Sequence, residues 1–442
     1  MELATIDVTE VWRRTTRCVG LLCLVVFVAV ATCAAADDIL VRAGHLVDPV
    51  KGSVAERQTI LIRAGKIVAV GSDLKGSAGA RVVDLGDEWV LPGLGDAHQH
   101  LTLDQPPAPP KGSVWEALRL SQSTAERTLR GLRNAQAMLS AGFTMVRDVG
   151  NAAEYADTEV RRAIDRGWYQ GPTMLTAGKI ITPFGGQDPG SAPERGTWWH
   201  DEYIDADTAD QMRAAVRRNV YYGATVIKLA ADSNTYHFTE EQVRAAVDEA
   251  HRAGLTVAVH VYGGEAARNV ISGGADSVEH GYELTDDLLA LMKQKGTYLV
   301  LTELPTKNAF AQFGDIGMDP DAFHQRSLQR LERAYRSGVK IAFGSDVAVE
   351  IEGRSRPDLV LDEPEQWQEA GIPPAVILRC MTANVAELMR LDKSRGALAP
   401  GLAADLIAIP ANPLENVSAL RKINFVMKDG KTVRDSRENP QK

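Results

Sequence analysis

Cysteine is nearly missing from this chain. Of 442 residues only four are cysteine; Cys18, Cys23 and Cys33 crowd the amino-terminal end, and Cys380 is the single one that follows. No intrachain disulfide is available beyond that leading segment, so the rest of the chain relies on its core, bound metal or association. A surplus of positive charge is lacking too. Lys and Arg total 49 against 58 Asp and Glu, a formal net charge of −9, which argues against a nucleic-acid partner. There is no low-complexity segment, and no glycine-rich nucleotide fingerprint follows the first strand of the central region. What remains is an ordinary globular composition, 45% hydrophobic and 24% charged, with ample length for a large core.

The leading 36 residues read as a segment apart. Arg13, Arg14 and Arg17 precede the apolar run CVGLLCLVVFVAVATCAAA, which ends in small residues before Asp37 and Asp38. That order of charge, apolar run and small residues is a secretory signal over residues 1–36, and the expectation is an exported protein, periplasmic or secreted. A transmembrane anchor is the competing reading. The run is near the short limit for a span and ends in small residues, so no stable membrane anchor is expected after cleavage.

Both ends of the remaining chain are strand-rich. Residues 37–92 contain DILVRAGHLVD and ILIRAGKIVAVGS, with Ala64-Gly65 as a hairpin turn; residues 396–442 contain ADLIAIPANP and INFVMKDGKTV, with Asp429-Gly430 as another. The economical arrangement joins them in one small β-sandwich domain. Between them, over 93–395, apolar strands alternate with amphipathic helical runs. Strands are predicted at 94–100, 143–149, 172–177, 224–231, 255–261, 276–280, 296–303 and 339–346, and helices at 114–140, 206–222, 239–253 and 320–337. Eight strands with intervening helices predict an α/β fold, a (β/α)8 TIM barrel, over an open doubly wound sheet.

The segment LPGLGDAHQHL places His98 and His100 two apart. On a helix they would point away from one another; on a strand they share a face and can share an ion. Nine histidines could produce one such pair by chance. Other strand ends add weight. Lys228 lies inside TVIKLA, His260 ends TVAVH, His280 ends DSVEH and Asp346 ends IAFGSD. The carboxyl-terminal end of barrel strands is where barrel enzymes build their sites. Tyr262, two residues after His260, shares its face if the strand continues, and either donates to a substrate oxygen or packs. Arg147-Asp148 reads as an internal ion pair bracing the barrel. Arg354 and Arg356, in the loop after Asp346, are candidates for a substrate carboxylate, with a solvated loop as the other reading.

Taken in order, LPGLGDAHQHL, GFTMVRDVG, ATVIKLAAD, VAVHVYGG, ADSVEHG and FGSD resemble the motifs of the amidohydrolase superfamily. The closest likeness is to its imidazolonepropionase-related branch, which includes Xaa-Pro and other metallodipeptidases and ochratoxin-hydrolysing enzymes. The ending GALAPGLAADLIAIPANPLENVSALRKINFVMKDGKTV is similar to that branch as well. The resemblance implies two Zn2+ ions per chain. His98, His100 and Asp346 would hold the buried one, His260 and His280 the other, and a CO2-derived carbamate on Lys228 would bridge them. It implies hydrolysis of a dipeptide or N-acyl amino acid amide by a metal-bridging hydroxide, with Asp346 as acid–base, and a homo-oligomer. Gln187 in TPFGGQDPG stands where the family often has histidine, so it is a candidate substrate contact. A mononuclear deaminase or imidazolonepropionase-like hydrolase is the second reading, and a metal-free barrel with an assembly role the third.

Overall fold

The computed structural model describes residues 38–108, 121–150, 153–187, 190–232 and 236–437. The signal expected over 1–36, and most of the first third of the helix expected over 114–140, lie outside the described residues. No helix among the described residues is long and apolar enough to cross a membrane.

Strands from both ends of the chain form one eight-stranded sheet. Leu406–Ile409, from the carboxyl-terminal end, pairs antiparallel with Trp89–Pro92, which runs parallel to Ile39–Asp48. The long hairpin Ile39–Asp48 and Ser53–Arg63 sets Val41 opposite Ile60. Val41, Ile60, Ile62, Ile67, Phe425 and Met427 then close a separate apolar core. Both expected hairpin turns are present. Ala64 and Gly65 have φ of 49° and 77°, and Asp429 and Gly430 have 48° and 73°. Two left-handed residues in succession match the twist of the strands they join.

The central region is α/β and TIM-barrel-like. Its barrel strands are, in order, Leu94–Gln99, Phe143–Asp148, Thr173–Thr176, Ile227–Ala230, Val257–Gly263, Ser277–Glu283, Tyr298–Val300 and Lys340–Ala342. The first three form one parallel sheet and the last five belong to another. The second sheet also carries Ile180–Thr182 and Tyr203–Asp205, two short strands that the apolar pattern does not announce. The sheets meet edge to edge through a few backbone hydrogen bonds rather than continuous ladders. Thr225 N donates to Thr176 O at 2.8 Å, and Ala97 N to Phe343 O at 2.8 Å. These contacts agree with a TIM-barrel-like arrangement of the strands.

Alternation sorts the strand residues. Ile227, Leu229, Val257, Val259 and Val261 belong to the apolar core, so Lys228 and His260 point to the opposite, inner face. The helices follow capping rules. Thr208 and Thr239 cap Ala209–Tyr222 and Glu240–Arg252, and within the expected helix over 114–140 Ser123 caps Thr124–Ser140.

The first and eighth strands are stapled by Asp96. Its carboxylate accepts from His98 N at 3.0 Å, from Ser345 N at 3.1 Å and from Ser345 Oγ at 2.7 Å. Gly344 lets the strands approach this closely. A β-carbon there would lie 2.4 Å from Val300 Cγ1, 2.7 Å from His98 Cβ and 2.9 Å from His98 N. Gly344→Ala is expected to lower stability by about 1–3 kcal/mol, the usual range for overpacking a core. Urea denaturation checks it, and an unchanged midpoint would contradict the close approach.

Candidate active site

Six of the predicted residues converge at one end of the barrel. His98, His100, Lys228, His260, His280 and Asp346 are all buried, none more than 9% exposed, yet all line one cavity. The His98 and His280 ring centroids are 4.9 Å apart, and those of His260 and His280 are 4.4 Å apart. Asp346 Oδ1 lies 3.1 Å from His100 Nε2 and 3.6 Å from His98 Nε2. Ligand atoms of His98, His280 and Asp346 sit within 4.8 Å of one another. His280 therefore groups with His98 as readily as with His260.

Each side chain is aimed by a neighbour. His98 Nδ1 is 2.7 Å from Glu279 Oε2, which leaves Nε2 facing the site without a hydrogen-bond partner. His100 Nδ1 meets Gly150 O at 3.0 Å, and His280 Nδ1 meets Thr302 Oγ1 at 2.8 Å. Partners of this kind fix a ring's tautomer and direction, as the outer contacts of metal-binding histidines do. Asp346 is held by its backbone: its N donates to His98 O at 2.9 Å, and its O accepts from Gln312 Nε2 at 2.8 Å.

Three successive strand ends adopt left-handed backbone. His280, Thr302 and Asp346 have φ of 70°, 50° and 55°. Glu279 faces the barrel interior, so a regular strand would send His280 to the opposite side. The left-handed turn brings it back. Such conformations are costly for non-glycine residues and collect at functional sites.

Burial sets the charge state. The imidazoles of His98 and His280 are held well below the ordinary pKa by loss of water and by neighbouring cationic groups, and His260 is lowered to about 3 for the same reasons. These are neutral rings, the form that binds metal. At His100 burial works the same way, but Asp346, Asp148 and the Gly150 carbonyl together outweigh it and raise the pKa. Lys228 is lowered to about 8, chiefly by burial, against the pull of Glu279 and Asp346. Its Nζ is buried and has no hydrogen-bond partner. A lone buried amine among histidines is costly unless something else binds there. The donor set thus fits divalent metal.

The cavity has a volume of about 1080 Å³. Tyr262 lines it, stacked on Tyr282 at 5.4 Å, and burial with nearby carboxylates pushes its pKa up to about 12. It is a neutral phenol with a proton to donate. Gln187 also lines the cavity, where its Oε1 accepts from Tyr203 at 3.3 Å.

Arg354 and Arg356 do not line it. Arg354 grips Asp362 at 2.7 and 2.9 Å. Arg356 is buried, bound to Asp104 Oδ1 at 2.6 Å, to Gln99 Oε1 at 3.2 Å and to the carbonyls of Leu103 and Val347. Both brace loops rather than the cavity, and Arg356 is buried where a solvated loop was the other expectation. The expected Arg147–Asp148 pair is also corrected. Neighbours on a strand face opposite ways. Arg147 reaches Glu279 Oε1 at 2.7 Å, while Asp148 accepts from Leu101 N at 2.8 Å.

Four residues at the site were missed in the sequence. Glu279, a carboxylate inside an apolar strand, carries the same signal as Lys228 and could have been found. Asp232 accepts from Tyr262 N at 2.6 Å and faces His260 Nε2 at 3.5 Å; it closes ATVIKLAAD, one strand-end acid among several. Thr302 and Tyr282 have no local signal, because their role lies in contacts to His280 and Tyr262.

The amidohydrolase family model matches residues 89–433. The chain belongs to the amidohydrolase family. It is a metal-dependent hydrolase of amide bonds. This amidohydrolase is 27% identical to ochratoxinase of Aspergillus niger over 375 residues, spanning 77% of this chain and 75% of that protein. It is 28% identical to imidazolonepropionase of Ralstonia nicotianae over 405 residues, 85% and 92% of the two chains. Its structure is similar to the crystal structure of a Xaa-Pro dipeptidase with methionine bound in the active site. That likeness has a TM-score of 0.79 and 28% identity, over 90% of this chain and 99% of the other.

Proposed function

We propose that this amidohydrolase is a binuclear zinc enzyme that cleaves the amide of a dipeptide or N-acyl amino acid and releases the carboxyl-terminal amino acid. The observation that carries the reading is Lys228. Its buried, unpartnered Nζ lies among the ligands, and its charge acts on His98, His260 and His280 alike. A neutral amine there would add to the carbon of CO2 with loss of a proton, and the carbamate so formed would supply oxygen ligands to metal. His98, His100 and Asp346 would hold one ion and His260 with His280 the other. Bound there, two zinc ions would lower the pKa of a water and polarise the scissile carbonyl.

The chain's own groups supply the rest. Asp346 takes a proton from the attacking water and returns it to the leaving nitrogen. Its backbone is held from both sides, so the carboxylate keeps its position through both transfers. Tyr262 donates a hydrogen bond to a substrate oxygen.

The cluster of His98, His280 and Asp346 favours a second reading, a mononuclear hydrolase. Metal analysis and a pooled assay decide between them. The expected result is about two zinc ions per chain and amino acids released from dipeptides or N-acyl amino acids. One ion per fully active chain overturns the binuclear reading, and no release from any amide overturns the substrate class.

A further inference from the structure

With Arg354 and Arg356 committed to loops, another group must meet any anionic part of a substrate. The helix Pro320–Ser337 brings three side chains to the cavity, Phe323, Arg326 and Arg330. Their spacing of three and four residues places them on one helix face. Arg330 is fully engaged. Its guanidinium meets Glu303 Oε1 and Oε2, each at 2.6 Å, and lies 4.9 Å over the Tyr282 ring. Both Glu303 oxygens are thereby taken.

Arg326, one turn earlier, is exposed at the cavity. Among the described residues, no hydrogen bond or ion pair forms at its guanidinium, and Glu303 acts on it only through space. Apart from Lys228 and Asp346, the charged cavity residues are Arg195, Arg326 and Arg330 against Glu283 and Glu303, an excess of one cation. Much of the same cavity's lining is apolar, and Phe323 lies one turn before Arg326 on their helix. Phe323 and Phe313 line the cavity with Leu304, Ile316 and Met318, and Phe313 is 52% exposed. Large apolar side chains and an uncommitted guanidinium lining one cavity make a two-part recognition surface.

We propose that Arg326 binds a carboxylate of the substrate, carried on a residue whose bulky apolar side chain lies against Phe313 and Phe323. The identity of the bound group rests on the amide-hydrolase reading; the binding surface does not.

Calorimetry on the metal-loaded enzyme tests it without turnover, using hydrocinnamate, the neutral alcohol 3-phenylpropanol and propionate as probes. Hydrocinnamate is expected to bind more tightly than either of the others. Arg326→Met should weaken hydrocinnamate by about tenfold or more and leave the alcohol unchanged, with Arg326→Lys retaining part of the affinity. Phe323→Ala should bring hydrocinnamate toward propionate. Equal binding of hydrocinnamate to the wild type and Arg326→Met overturns the proposal. So does failure of the wild type to bind it, or transfer of the loss to Arg195→Met. If the Arg326→Met loss appears while no amide is cleaved, the amide reading fails and this one stands. Amide cleavage with no Arg326 effect is the converse.

Discussion

Lys228→Ala is expected to lower kcat/KM on the best amide substrate by about 10³-fold, roughly 4 kcal/mol of transition-state stabilisation, and to strip most bound metal. The side chain is 2% exposed, and its Nζ has no hydrogen-bond partner. Removing a buried, unpaired amine should not itself destabilise the fold, since its desolvation is relieved. Loss of metal without loss of stability in the metal-free state therefore separates a ligand role from a structural one. Metal content by emission spectroscopy and melting of the chelated protein are the two readouts. Added short-chain carboxylates should restore part of the activity, since they replace the missing oxygens. A variant that keeps its metal and full rate removes the bridging lysine from the mechanism.

Arg147→Met is expected to cost about 3–5 kcal/mol of stability, the range for breaking a buried ion pair from one side. Arg147 and Glu279 are both fully buried. Arg147 also donates to Ala97 O at 2.5 Å and Ser277 Oγ at 3.1 Å, so it ties the first, second and sixth barrel strands together. Substitution takes from Glu279 its direct ion-pair partner, with the carboxylate 2.7 Å from His98 Nδ1. The double variant Arg147→Met, Glu279→Leu should recover much of the stability, because no buried charge is left alone. It should not recover metal affinity, because His98 loses the group that orients it. Guanidinium denaturation of the three proteins, with zinc titration of each, checks both parts. A single variant as stable as the wild type would show the pair to be dispensable.

Much of the site was legible because strand alternation is local. Lys228 and His260 point inward for the same reason that Leu229 and Val259 point outward, and the sequence displays that pattern directly. The hairpin turns Ala64-Gly65 and Asp429-Gly430 were legible for a related reason, since two residues set their backbone. Arg354 and Arg356 were misplaced because charge and loop position say nothing about which carbonyls lie within reach. Arg356 finds two carbonyls, a carboxylate and a carboxamide on segments up to 257 residues away in sequence.

The sequence by itself determined the alternating α/β architecture, the strand-rich character of both ends, and which metal-competent side chains end the barrel strands. These follow from periodicity and residue chemistry over a few positions. Only the tertiary structure decided that His280 and Asp346 turn inward through left-handed backbone, that Glu279 joins Arg147 to His98, and that Arg326 is an uncommitted cation of the cavity wall. Each of those outcomes depends on atoms brought close by folding. A left-handed residue is held in place only where its neighbours over-determine it, and a charge is committed or free only according to what stands within about 3–4 Å of it.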